Sequence, residues 1–204
     1  KTSILWTVMT SEARLSFSDI PSILSDRKHT QHVLIRLASQ LANDLLMKRR
    51  NSGALVFYDV GRGLVTDEEG SLRQLKRRED TIGYVIIQEL MILANIAVAE
   101  YSVKNDIPIL FRNHTARSAA PERGDLLKLL ESTAVIPEAN IATVRNTTYM
   151  MFNRAEYGPV ILGHFGLNVG AYTQFTSPIR RYADLVSLYH ILKRKFRQLH
   201  PTST

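Results

Sequence analysis

Apolar residues recur at helical spacing in three long stretches of the 204-residue chain, with shorter strand-like runs between them. From His29 to Arg50, Leu34, Leu37, Ala38, Leu41 and Leu45 fall on one side of a helix and predict its buried face. Lys48, Arg49 and Arg50 close that helix with cations, which suit a C-terminus, and read as a solvated end ahead of the alternative, an RNA contact. Asp80 is placed to cap a second helix reaching about Lys104, with Ile86, Leu90, Ala94, Ala97 and Val98 along its inner side. A third helix is expected from Ser177 and Pro178 to about Arg197, followed by a frayed tail over 198–204. Shorter helices are expected at Asp19–Leu24, Pro121–Leu130 and Arg145–Tyr157. Strands are expected at Ser3–Thr10 with a continuation over Glu12–Phe17, at Ala54–Tyr58, Gly63–Thr66, Ser71–Leu75 and Pro108–Arg112. Asp67 to Gly70 reads as a solvated hairpin tip, Pro137 as part of a linker, and Trp6, Tyr149, Met150, Met151 and Phe152 as core. The result is a mixed α/β fold, a central and largely antiparallel sheet surrounded by long helices.

The start of the third helix carries the most chemistry. Proline fits a first helical position and serine can cap the exposed amides, so Ser177-Pro178 marks a helix N-terminus that favours an anion. Arg180 and Arg181 add charge and forked donors there, and Tyr172 and Phe175 upstream offer rings on which a base can stack. An RNA phosphate fits this arrangement. A bland alternative stands beside it: Arg180 and Asp184, four apart, pair along the helix, and Phe175 and Tyr182 are core. Glu89 interrupts an apolar block and needs a partner, either a structural arginine or a substrate hydroxyl and metal-bound water. Asn95 reads as a hydrogen bonder in helix packing. Arg112 and His114 end a strand and can approach phosphate, although a satisfied histidine is at least as good a reading.

Charge adds a partner class to this picture. Lys and Arg outnumber Asp and Glu by 26 to 19, for a net +7 and a pI near 9.8, which suits a polyanion and, more weakly, a membrane surface. The absence of cysteine excludes a disulfide scaffold and a thiolate metal site, and agrees with a reducing compartment. No uninterrupted apolar run approaches the ~18 residues of a membrane span, and no secretory signal opens the chain. Beginning at Lys1, the chain reads as a fragment or a processed product.

The run HFGL followed by YTQFTSPIRRYADL resembles the signature of the RNB family of exoribonucleases, which includes bacterial ribonucleases II and R and the catalytic subunit of the eukaryotic exosome. RRNSGALVF, IIQELMILAN and ILFRNH are similar to further blocks of that domain, in the same order. The resemblance implies that residues 1–204 form the C-terminal part of an RNB domain. It also implies hydrolysis of single-stranded RNA from the 3′ end, releasing nucleoside 5′-monophosphates. Arg180 is then the catalytic cation, and Glu89, Tyr172, Thr176, Ser177, Arg181, Arg112 and His114 contact substrate. Two Mg²⁺ ions are implied for the complete family site, held by an aspartate cluster early in the domain. No such cluster is present, since Asp59, Asp67, Asp80 and Asp106 are scattered, so no metal ligand is assigned. Partners implied are single-stranded RNA, the missing N-terminal half of the domain or a partner chain, and a ribonucleoprotein complex, but no membrane. The setting is intracellular, in cytoplasm or an organellar matrix. Gln174 stands where the family often has histidine, and Leu188-Tyr189 replaces a common His-Arg pair. An inactive RNB remnant that binds RNA or serves as a structural subunit is therefore the alternative, and a protein-interaction module that keeps only the fold is a third reading.

Overall fold

A 3₁₀ turn at Phe17–Asp19 leads directly into α1 (Ile20–Ser25), with Pro21 in its first turn, where a missing N–H breaks no helical bond. This is a computed structural model, and it describes residues 2–5, 7–55, 64–66, 72–118, 120–133 and 151–199. The expectations for Trp6, the 56–58 part of a strand, Asp67 to Gly70, Pro137, Tyr149, Met150 and the end of the tail lie outside those residues.

The first long helix is α2 (His32–Asn51), and its buried face is not the leucine stripe. Leu34, Leu37 and Leu41 are exposed, whereas Ser39, Ala42, Leu46 and Arg49 are buried. The two stripes are neighbours on the helix surface, about 100° per residue apart, and periodicity alone cannot rank them. Packing does: the small side chain of Ala42 joins Ile20, Leu46, Val85 and Ile86 in one cluster, flanked by Ile35, Ala38 and Leu90.

The second long helix, α3 (Thr81–Lys104), follows a 3₁₀ turn at Arg78–Asp80. Its early residues Val85 and Ile86 enter that first cluster, and Val98 and Ala99 enter another with Ile107, Ile109, Phe111 and Ile191. Ala94, expected on the inner side, is exposed. By length and apolarity α3 matches a membrane span, but it feeds both clusters and carries the buried Glu89, as the core helix of a folded domain does.

The strands form two antiparallel pairs rather than one central sheet among the described residues. β1 (Leu64–Thr66) pairs β2 (Leu72–Gln74), with Val65 opposite Arg73. β3 (Phe111–Asn113) lies before α4 (Arg123–Thr133) and pairs β4 (Glu156–Gly158), with Arg112 opposite Tyr157. Of the expected helix over Arg145–Tyr157, residues 145–150 lie outside the described residues, Phe152 to Ala155 are not helical, and Glu156 and Tyr157 are strand because β3 supplies a ladder for them. The expected strand at Ser3–Thr10 is irregular where described, with Val8 and Met9 exposed and no partner strand among the described residues to hold its backbone groups. The last helix, α5 (Tyr182–Leu199), starts later than Ser177, for a reason that belongs to the site.

The chain divides into two compact units, with the boundary inside α3. The first comprises Lys1–Leu5, Met91–Ala116 and Asn153–Thr204; the second comprises Trp6–Leu90 and Arg117–Phe152. The fold is mixed helix and antiparallel strand.

Candidate nucleic-acid interface

The turn before α5 is organised by Asp184, a fully buried carboxylate in the helix's first turn. Its Oδ2 accepts the Ser177 N–H at 2.9 Å and both Nε and Nη2 of Arg181, at 3.1 and 2.9 Å. Pulling these donors together keeps Pro178 to Arg180 in a turn, so the helix begins at Tyr182 instead. The Ser177 carbonyl accepts the amides of Arg180 and Arg181, and the Arg181 Nη2 also donates to Thr176 Oγ1 at 3.3 Å.

The two arginines are consequently different. Arg181 is mostly covered and braces the turn through Asp184, so the alternative pairing of Arg180 with Asp184 gives way to Arg181 with Asp184. Arg180 is exposed, with its Nη2 3.4 Å from Ser177 Oγ. Tyr182, offered by the bland reading as core, is 79% exposed beside it, and Ile179 is fully exposed.

The loop leading into this turn is held from below. Asn95 donates from Nδ2 to the Tyr172 hydroxyl and accepts the Phe175 N–H at Oδ1, both at 3.0 Å, which is the packing role its sequence position suggested. Thr173 is buried and donates to the Leu110 carbonyl at 2.7 Å, while the Arg112 N–H donates to the Tyr172 carbonyl at 2.8 Å. Tyr172 is thus a buried support, its ring edge-on to His164, and presents no open stacking face. Phe175 packs partly buried against the second cluster.

His114 and His164 lie with ring centroids 4.8 Å apart. Nδ1 of His114 accepts the Gly166 N–H at 3.1 Å, and Nδ1 of His164 accepts that of Leu167 at 3.2 Å. A Cβ at position 166 would come within 3.1 Å of the His114 ring, so glycine is required for the close approach. Burial, then the charge of Arg112, hold His114 below its ordinary pKa of 6.5. The sign follows: with the folded value depressed, the neutral ring's contribution is complete above about 6.5 and is lost as pH falls through the folded pKa. Urea midpoints are expected to drop between pH 7.5 and 5 by more in the natural chain than in His114→Gln. Equal drops would remove His114 as the source.

Arg112 and Tyr157 face each other across β3 and β4, the guanidinium carbon 4.6 Å from the ring centroid. The Tyr157 hydroxyl donates to Gln174 Oε1. Sequence reasoning missed Tyr157, because the Met-Phe run before it read as a helix extending through it.

Glu89 belongs to the other unit. Its carboxylate meets the fork of Arg49, Nε on Oε2 at 3.1 Å and Nη2 on Oε1, with side-chain exposures of 1% and 9%. Of the two partners left open for Glu89, the structural arginine is the one present, and the carboxylate is not offered to a substrate hydroxyl. Arg49 is correspondingly not a solvated helix end. The signal was its position one turn beyond Leu46 and two beyond Ala42. No three His, Asp or Glu side chains converge into a metal-holding group among the described residues, so the residues present do not fit a two-magnesium site.

A model of the RNB domain matches residues 1–195. The chain belongs to the RNB domain family. Ribonuclease R of Escherichia coli is 30% identical over 213 residues, covering 91% of this chain and 26% of the relative, so the chain spans about a quarter of that protein. Among solved structures, Mycoplasma genitalium RNase R, in complex with ribose-methylated single-stranded RNA, is 22% identical with a TM-score of 0.61, covering 91% of this chain and 33% of that one. Yeast Ssd1, a pseudonuclease, is 21% identical with a TM-score of 0.59, covering 93% and 26%. The RNB fold is thus shared by an RNA-bound ribonuclease and a pseudonuclease, and function rests on the site rather than the fold.

Proposed function

We propose that this RNB chain is the phosphate-contacting part of a hydrolytic 3′-to-5′ exoribonuclease acting on single-stranded RNA. The observation that carries the reading is the division of labour between the arginines. Arg181 is held by Asp184, and Arg180 is exposed on the turn that this pair fixes. An exposed cation on a preorganised turn just ahead of a helix start is suited to a phosphodiester. Ser177, Thr176 and Arg112 lie on the segments that build the same turn or border it, and we assign them supporting contacts.

The magnesium chemistry of the family needs carboxylates beyond those described here, so we derive no cleavage step from this chain. An inactive, RNA-binding remnant makes the same binding prediction and differs only in turnover. Fluorescence anisotropy with a single-stranded oligoribonucleotide tests the shared part. Log affinity is expected to fall linearly with log salt, with a slope of about −0.7 per phosphate contacted, and Arg180→Ala is expected to make it shallower by about one contact. Salt-independent binding, or a slope untouched by Arg180→Ala, would overturn the assignment.

A further inference from the structure

Tyr157 is an aromatic side chain of the first unit that sits at the surface while being held by polar neighbours. It is 39% exposed, at the centre of β4, while Tyr172 nearby in the same unit is 8% exposed. Its polar needs are already met, because the hydroxyl donates to Gln174 Oε1. One ring face lies under the Arg112 guanidinium, 4.6 Å from the centroid, so a partner would meet the part of the ring that stays exposed beside that contact. Strand pairing and these two contacts fix the ring's orientation, which lowers the ordering cost when something stacks on it.

We infer that Tyr157 is a nucleobase platform, levelled by Arg112 and pinned by Gln174, for a base of the strand whose phosphate lies on the Arg180 turn. This rests on the RNA reading above and adds a base-stacking site to it. Gln174 precedes Ser177 by three residues, at most about 11 Å of extended backbone. That is about the length of three stacked nucleotides at ~3.4 Å each. The phenol also feels the charges of Arg112, Asp184 and Arg181, which places it in the electrostatic field of the arginine turn, and burial keeps it protonated as the donor to Gln174. Stacking on such a ring is tolerant of sequence, because every base has a π-face.

Binding of this chain to a base-bearing single-stranded oligoribonucleotide and to a fully abasic strand of equal length tests the inference. Tyr157→Ala is expected to weaken binding to the base-bearing strand by about tenfold or more, leave the abasic strand unaffected, and keep the salt slope unchanged. Tyr157→Trp, which keeps a ring on the strand, is expected to hold affinity. Its added fluorescence, relative to the natural chain, is expected to be quenched by the base-bearing strand only. Salt-dependent binding with equal loss on both strands, or with no loss and no quenching in Tyr157→Trp, overturns the platform and leaves the phosphate turn standing. Absence of RNA binding by the natural chain overturns both.

Discussion

Arg49→Met is expected to lower the unfolding free energy by about 3–5 kcal/mol, because it strands a buried carboxylate. Glu89 is 1% exposed and takes both arms of the Arg49 fork, so removing the guanidinium leaves a charge that water cannot reach. The pair itself is not a large net gain, since both groups had to be desolvated. The double change Arg49→Met with Glu89→Leu is therefore expected to recover most of the loss, replacing an ion pair by apolar volume. Lys48→Ala, one residue away and exposed, is expected to stay within about 0.5 kcal/mol. Urea denaturation of the four proteins reads this directly. A loss below about 1 kcal/mol for Arg49→Met would mean that the pair is solvated rather than buried.

Arg180→Ala, in a longer chain that includes the metal-binding carboxylates, is expected to slow single-turnover RNA cleavage by about 100- to 1,000-fold. The turn that presents this cation is braced by the buried Asp184 through Ser177 and Arg181, so the substitution removes a donor and leaves that brace. Arg181→Ala is expected to behave differently. It leaves the buried Asp184 without its guanidinium, so stability and RNA affinity fall together. Thermal unfolding beside the cleavage rate separates the two variants. Unchanged cleavage in Arg180→Ala would remove Arg180 from the reaction, and no cleavage by the natural long chain would favour the RNA-binding remnant.

Much of the secondary structure was legible in the chain, and the reasons differ from element to element. α2 and α3 are long enough for their apolar period to outweigh local ambiguity, and α4 lies within two or three residues of its expected bounds. The hairpin of β1 and β2 matches the two expected strand segments around Leu64 and Leu72. The face of α2 was not legible, because Leu34, Leu37 and Leu41 are more apolar than Ser39 and Ala42, and only the neighbouring cluster selects the smaller residues. β4 was hidden for a related reason: three residues, Glu156–Gly158, become a strand because β3 is there to pair them.

The order of residues by itself determined where cations, rings and helix-forming periods fall, and so placed an arginine pair after Ser177-Pro178, the glycines of the HFGL loop, and Asn95 among helix contacts. Local propensity and composition are properties of adjacent residues, which is why they survive without a fold. Only the tertiary structure decided which arginine faces solvent, that Tyr172 is support and Tyr157 is surface, and that Arg49 answers Glu89 across 40 positions. Those outcomes depend on which groups lose water together, and desolvation is settled by neighbours distant in sequence.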